Sequence, residues 1–571
     1  MPATPSKPEP LHGVRTDPTP LHPELTNNTQ NHRCCAASVL SKAMPNKLPW
    51  RLLLILWVAA ALLSCIGLGN VPLRDFDEAT VARVALELHQ GAGEAALLPT
   101  LWNEPYLNKA PGLHLIIAAV IGVMTREGLP SEWVIRLAPA LMSSLIVPLG
   151  GLLQWELRPR DRDSCLATSA ILLTLLPVAR HGRLAMLDGT QLTVMALLWL
   201  GLMQLRHTRH PTRIGLVTGL AASGMLLLKA PLLLPTAAAG LTAAALGQEW
   251  RHWRAMRAAP SLLIGITPGV AWHLWHAHHR GSSALWLWGG DGAGRVLLDA
   301  GEGSDLGWRV PIIELLEGGW PWLVLLPIAI VGAWRLRHSR WGYWCLGTLT
   351  VLCAAILPLR TQLPWYSHPL WLPFALLCSP LLAWIVNRQT WNNRAVPMRR
   401  ILTRTPALWA GIGLTVLLLG MASLVPAAAA LTPYRSPALA LGLGWCAGGS
   451  LLMSETVQKR RLGAISVVLG NITALALIFT TPLWLWELNE SWAVRPVADL
   501  TANTAKTPLR LKGYDERPSL NWYSQQRILR TQTEDDNHLY LSDQPQTNCK
   551  TLASKGAWAL SDCDNITVND K

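Results

Sequence analysis

The sequence predicts an all-α polytopic membrane protein with a small C-terminal α/β domain outside the membrane. Three observations carry this expectation. Of the 571 residues, 50% are hydrophobic and only 15% are charged, with a mean hydropathy of +0.26. An ordinary soluble chain of this size is neither so apolar nor so poor in charge. The chain also offers many apolar runs near the roughly 20 residues that a helix needs to cross a bilayer core. Finally, Lys and Arg fall in short clusters between those runs, the pattern of cytoplasmic loops. The formal net charge of +14 is therefore spread over loops rather than gathered on one soluble face. No nucleic-acid partner is expected. The 29 Trp suit interfacial belts, where an amphipathic ring fits the headgroup region.

Taken in order, residues 1–48 are rich in Pro, Thr, Asn and His without apolar periodicity, and read as a disordered cytoplasmic tail. The apolar run after them starts too late and is too long for a signal peptide. Residues 49–487 form the transmembrane part. Arg33, Lys42, Lys47 and Arg51 around the start of a first span, Trp50–Gly69, place the N-terminus in the cytoplasm. A long outer loop, 70–133, follows. Its apolar piece Pro111–Met124 is short for a span and reads as a juxtamembrane or re-entrant helix. Spans near 134–155, 164–180, 190–205, 214–228, 232–247 and 260–276 lead to a second outer loop, 277–318. Spans near 320–334, 342–358, 367–386, 407–425, 437–453 and 463–486 bring the total to about 13. Every predicted inner loop carries a basic cluster, from "ELRPRDRDS" to "QKRR". Residues 488–571 alternate short β-like and helical patterns, the mark of a small α/β or α+β cap.

Of the 10 Cys, Cys65, Cys165, Cys345, Cys353, Cys378 and Cys446 lie in or beside apolar runs and read as small buried hydrophobes. Cys549 and Cys563 can form a disulfide if their tail lies outside the cytoplasm. No Cys spacing suggests a zinc site.

On this topology all the outer loops face one compartment. They gather Asp75, Asp77 and Glu78 with Tyr106, Asn108 and Lys109, then Arg180, His181, Arg183, Asp188 and Lys229, then Arg280, Arg295, Arg360 and Tyr366. Carboxylates beside several cations at a membrane surface suit one kind of chemistry. A carboxylate takes a proton from an acceptor hydroxyl or amine. Cations neutralise a phosphate leaving group, Arg in bidentate fashion and Lys as a point charge. No Gly-rich phosphate loop or dinucleotide fingerprint offers a cradle for a soluble nucleotide. Plainer readings stand beside this one. Asp77 and Glu78 can simply open a helix. Lys109 can snorkel from the membrane edge. Asp188 can be the ion partner of Arg183. Lys229 inside "LLLKAPLLL" is expensive in an apolar run and so is partnered or functional. His276, His278 and His279 read as interfacial, and His368 as either core or site.

In this order the motifs resemble a known family. "FDEATVARVALEL…LLPTLWNEPYLNKAPGLHLI" is similar to the first outer loop of the polyprenyl-phosphate-sugar glycosyltransferases of the GT-C fold. These include the protein O-mannosyltransferases and the lipid A aminoarabinose transferase (ArnT-like proteins). The likeness extends from about residue 50 to 380 and only weakly into the tail. It implies that Asp77 of the Asp77-Glu78 pair is the general base, with Glu78 and Asp188 counted in the catalytic group. "YLNKAP" puts Lys109 where the family binds the lipid phosphate, with Tyr106 before it. "GRLAMLDGTQL" supplies Asp188 to the catalytic group; Arg183 of the same stretch, Lys229 of "KAP", Arg295 of "WGGDGAGRV" and Tyr366 of "LPWY" are the further donor-binding groups. The Glu that precedes the Lys, a metal ligand in the aminoarabinose transferase, is Asn108 here, which speaks against a metal at this place. The His that precedes the Arg of the second loop is absent.

The implied reaction is inverting transfer of a sugar from a polyprenyl-phosphate donor to a protein, lipid or glycan acceptor on the outer face of a bacterial inner membrane. Beyond the membrane lipid, the implied partners are that donor and that acceptor. A transporter or flippase for lipid-linked sugars also needs interfacial cations. It is expected to show internal repeats and mid-membrane charges, which this sequence lacks.

Overall fold

The computed structural model describes residues 47–91, 97–251, 255–289, 294, 307–360, 362–388, 396–485, 492–501, 509–531, 539–544 and 549–562. The predicted apolar runs are helices. They are α1 (Trp50–Cys65), α4 (Glu132–Leu157), α5 (Arg162–Thr174), α6 (Leu176–Gly182), α7 (Leu187–Gln204), α8 (Pro211–Lys229) and α9 (Leu233–Leu246). After them come α10 (Ala255–Arg280), α11 (Arg309–Gly318), α12 (Leu326–Arg335), α13 (Arg340–Ile356), α14 (His368–Asn387), α15 (Val396–Ala422), α16 (Arg435–Leu452) and α17 (Val457–Phe479). Between α1 and α4 lie α2 (Glu78–Gln90), the strands β1 (Thr100–Leu101) and β2 (Glu104–Pro105), and α3 (Gly112–Met124).

Among the described residues, 5 helices are long and apolar enough to cross a membrane, or up to 7 if each sharply bent pair is one span. The protein is multi-pass. One bent pair is α5–α6, turned by 60° where Leu175 adopts an extended conformation two residues before Pro177. A proline has no N–H to continue the ladder and crowds the backbone before it. The sequence suggested an unbroken span there. The other pair, α11 with Trp322–Arg335, bends by 110°, so α11 lies across the bundle end instead of extending the span.

By length and composition Pro211–Leu246 passes as one 36-residue span. Its packing shows that it turns back at Lys229. Against α7, α8 runs antiparallel, with Val194 facing Gly224 and Gly201 facing Thr218. The α9 half runs parallel to α7: Trp199 Nε1 donates to the Thr236 carbonyl at 3.0 Å, and Leu202 faces Gly240. Lys229 therefore sits at the apex of a helical hairpin, with φ −131° and ψ 77° at the break. Next, α10 packs parallel to α8 through small residues. A Cβ added to Gly219 would fall 2.2 Å from the Leu262 carbonyl oxygen, so the two backbones are in the close approach typical of packed membrane helices.

The opposite end of the bundle is tied by the buried Glu249, whose Oε1 accepts from Arg340 Nε at 2.7 Å, Tyr343 Oη at 2.8 Å and Trp344 Nε1 at 3.2 Å. Arg340 also reaches the carbonyls of Glu156 and Met203, both at 2.8 Å. The ends of α4, α7, α9 and α13 thus meet on the side that carries the basic clusters. The main apolar core lies among α4 to α7 and α12 to α14.

At the other end α2 and α3 pack on each other. Gly112 lies against Leu227 near the hairpin apex, and Gly122 against His89. Both ends of α3 thus stay at this end of the bundle. The C-terminal segment adds α18 (Val494–Ala498), α19 (Pro518–Ser524) and strands β3 (Leu509–Leu511), β4 (Leu529–Arg530), β5 (Leu539–Ser542), β6 (Lys550–Lys555) and β7 (Trp558–Asp562). These strands form a mixed sheet in the order β4-β3-β5-β7-β6, with β3 parallel to both of its neighbours. Cys549 is disulfide-bonded. Cys563 lies outside the described residues, as does Arg295.

Candidate active site

The connection from α1 to α2 carries the opening carboxylates, and Arg136 of α4 shapes it. Its buried guanidinium donates to the carbonyls of Leu68 at 2.9 Å, Val71 at 2.8 Å and Pro72 at 2.8 Å. The two remaining N–H groups meet Glu78, Nε to Oε1 at 2.7 Å and Nη2 to Oε2 at 2.6 Å. Glu78 also accepts the backbone N–H of Arg74 at 3.1 Å and of Ala185 at 2.8 Å. Both of its oxygens are taken and its side chain is wholly buried. Glu78, expected in the catalytic group, is set by the structure against Arg136, where it ties the loop to α4. The sequence signal for Arg136 was present, an Arg inside a predicted span, by the same logic that singled out Lys229.

One step before Glu78 the backbone makes a tight turn. The Asp77 N–H donates to the Asp75 carbonyl at 2.6 Å, and Phe76 between them has φ 55°. A three-residue turn of that hand is rare and strained for a bulky residue, at on the order of 1–3 kcal/mol. The turn sets Asp77 at the N-terminus of α2, where its side chain makes no capping hydrogen bond. Asp77 thus stands at the positive end of α2, as the plain helix-opening reading expects, without a side-chain cap.

Asp77 faces the charges expected of it. Burial and the neighbouring Asp188 carboxylate push its pKa up, while Lys109 and Lys229 pull it down, and the balance is about 6 against an ordinary 3.8. Lys229 Nζ donates to Asp188 Oδ1 at 2.9 Å and lies 5.0 Å from the centre of the Tyr366 ring. Asp188 is therefore the partner of Lys229, which corrects its pairing with Arg183. Tyr106 is buried, its ring 5.8 Å from that of His114. Burial and the charge of Asp77 push its hydroxyl pKa up. His368 is buried beside His181, with ring centroids 5.0 Å apart.

The loop that presents Tyr106 and Lys109 is held from below by α2. Trp102 and Asn103 take φ 57° and 65° at the turn of the β1–β2 hairpin. Their N–H groups donate to Glu87 at 2.8 and 3.2 Å, and Glu87 also accepts from Thr100 Oγ1 at 2.7 Å and Arg83 Nε at 2.6 Å. Burial pushes the Glu87 pKa up, but these hydrogen bonds outweigh it and the net shift is downward. Beside Tyr106 and Asn108 a cleft of ≈ 290 Å³ opens between the hairpin, Trp286 and Arg527.

Arg183, expected as a donor-binding group, is elsewhere. It is buried, donates to the Ile66 carbonyl, and lies 4.0 Å from the Phe479 ring and 4.5 Å from the Trp484 ring. Its guanidinium closes the junction of α1 with the end of α17. The structure thus brings Asp77, Tyr106, Lys109, Asp188, Lys229 and Tyr366 to one end of the bundle, and sets Glu78 against Arg136 and Arg183 against the Phe479 and Trp484 rings. Among the described residues no group of three or more His, Cys, Asp or Glu side chains could hold a metal ion. With the neutral Asn108 at the place of the family's Glu, this donor set does not fit a metal.

A family profile described as "Dolichyl-phosphate-mannose-protein mannosyltransferase" matches residues 121–287. Over 174 residues the chain is 29% identical to the "Undecaprenyl phosphate-alpha-4-amino-4-deoxy-L-arabinose arabinosyl transferase 2" of Sodalis glossinidius (strain morsitans), a match covering 30% of this chain and 26% of that one. That alignment spans about a quarter of the relative. Two crystal structures of ArnT from Cupriavidus metallidurans, one bound to undecaprenyl phosphate and one in the apo state, share the fold with TM-scores of 0.67 and 0.66. Each is 15% identical, and the match covers 89% of this chain and 97% of that one. Over the matched segment the chain is similar to these transferases, and over most of its length it shares the fold of ArnT.

Proposed function

We propose that the chain transfers a sugar from a polyprenyl-phosphate donor to an acceptor on the outer face of a bacterial inner membrane. On this reading about 13 helical crossings place the N-terminus in the cytoplasm and the C-terminal sheet outside. The observation that carries it is the half-buried Asp77, raised to about 6, facing Lys109, Lys229 and Asp188 at one end of the bundle. At neutral pH this carboxylate is ionised yet more basic than usual, as proton abstraction requires.

In the reaction the donor phosphate sits between Lys109 and Lys229, with the Tyr366 ring beside it and Arg295 as a further cation. Asp77 takes the proton from the acceptor hydroxyl or amine. The acceptor attacks the anomeric carbon opposite the phosphate, the C–O bond to phosphate breaks, and the polyprenyl phosphate leaves on the cations. Attack from the opposite face inverts the anomeric centre. Asp188 holds the Lys229 ammonium in place, and the cleft beside Tyr106 and Asn108 gives the acceptor a way in. The transferase reading is favoured over a flippase because these charges stand at one end of the bundle rather than along its middle.

The test is transfer of labelled sugar by purified protein from undecaprenyl-phosphate-linked aminopentose and mannose donors. Donor-dependent labelling of an acceptor is expected. Movement of an intact donor across vesicles without cleavage would sink the proposal.

A further inference from the structure

The strained turn that presents Asp77 is held from outside the membrane bundle, by the C-terminal segment. Asp75, the first residue of the turn, accepts Arg517 Nε at 2.6 Å on one oxygen and the Ser519 backbone N–H at 2.9 Å on the other. Asp75 therefore binds the first turn of α19, more than four hundred positions away in sequence. Arg517 is itself fixed, with Nη1 donating to the Trp492 carbonyl at 2.9 Å and its guanidinium 4.0 Å from the centre of the Trp492 ring. The Arg517 and Asp75 side chains are largely buried, at 8% and 12% exposure.

Two further contacts brace the same loop. The Tyr523 hydroxyl accepts the Leu73 N–H at 2.7 Å and donates to Glu132 Oε1 at 2.7 Å. Trp522, fully buried, joins the apolar cluster of α2 and α3 alongside Leu73, Ala79 and Leu113. The Phe76 side chain between these anchors is 56% exposed.

We propose that the C-terminal segment is a working part of the active site: Arg517, the N-terminus of α19 and Tyr523 are positioning groups that hold the Asp75–Asp77 turn and so aim the Asp77 carboxylate. This rests on the reading of Asp77 as the general base. Lys109 and Lys229 stand on other elements, the hairpin loop and the α8–α9 apex. Loosening α19 is therefore expected to impair turnover while leaving the phosphate-binding groups in place.

The experiment compares Arg517→Ala, Arg517→Lys and Asp77→Asn in the full chain. In Arg517→Ala, amide exchange over residues 73–79 is expected to rise by roughly tenfold or more while that of α4 is unchanged. The kcat is expected to fall roughly 10- to 100-fold, since a small misplacement of a reacting group has that effect. The KM for the lipid donor and the thermal shift caused by undecaprenyl phosphate are expected to stay near those of the unmodified protein. Arg517→Lys, which keeps a donor near Asp75, is expected to recover part of kcat. Unchanged exchange over 73–79, or an unchanged kcat alongside an inactive Asp77→Asn, overturns the positioning role alone. Full activity of Asp77→Asn overturns the general-base reading instead. Equal loss of undecaprenyl phosphate binding and of kcat, with raised exchange in α4, means general unfolding and also counts against the proposal.

Discussion

Glu78 and Asp77 are adjacent carboxylates with opposite fates, and their surroundings decide which does what. Glu78 receives four N–H donors from Arg136, Arg74 and Ala185 in a wholly buried site. Glu78→Gln leaves the Arg136 guanidinium buried without its counter-charge, a loss of about 3–5 kcal/mol. A large drop in the melting temperature of the detergent-solubilised protein is expected, and, because the Glu78 charge also raises Asp77, the acid limb of whatever activity survives is expected to move to lower pH. The Asp77 side chain makes no capping hydrogen bond and faces Asp188, Lys109 and Lys229. On the proposed reading its pKa, pushed to about 6 first by burial and then by Asp188, is expected to make transfer fall as pH drops through that value. The same shift acts on stability with the opposite sign. Between the unfolded value and the raised folded one, the native state binds the proton more tightly, so stability falls as pH rises through the window. Asp188→Asn removes one of the charges that raise Asp77, so the acid limb of kcat/KM against pH is expected to move to lower pH. An acid limb that stays in place would mean the two carboxylates do not communicate.

The site's parts are presented by short, over-determined segments. The β1–β2 hairpin holds two non-glycine residues at positive φ, and Glu87 receives both of their N–H groups. Such a conformation persists only where the surroundings enforce it. Glu87→Ala is expected to loosen the loop that carries Lys109 and to raise the donor KM roughly tenfold, with a smaller effect on kcat, as steady-state kinetics can read. The α8–α9 hairpin places Lys229 at an apex in the same way. A Lys followed by Ala-Pro in an apolar run was legible as a site because charge there is expensive. The same signal in "EWVIRLAP" marks Arg136, and its weight was not drawn from the sequence. The bend at Leu175 was also written in the chain, in the proline two residues on.

As a whole, the fold was legible where hydropathy and charge act locally: the apolar runs, the basic clusters between them, the short helix α3 and the C-terminal α/β segment. What could not be read is long-range. Asp75 meets Arg517 and Ser519 across more than four hundred residues, and nothing in either stretch names the other. Arg183 looked like a donor-binding group because it stands near Asp188 in sequence, but helix geometry sends it to the Phe479 and Trp484 rings instead. The proposed topology has a simple check. A reporter fused after residue 90 is expected to be active outside the cytoplasm, and a cytoplasmic signal would invert the site's location. The central claim is that Asp77 takes the acceptor's proton, and it is tested most directly by the pH dependence of sugar transfer in the unmodified protein and in Asp77→Asn. The account predicts an acid limb near pH 6 in the former and a loss of roughly 100-fold or more in the latter, with undecaprenyl phosphate binding retained. Transfer by Asp77→Asn at the unmodified rate, with the same acid limb, would contradict it.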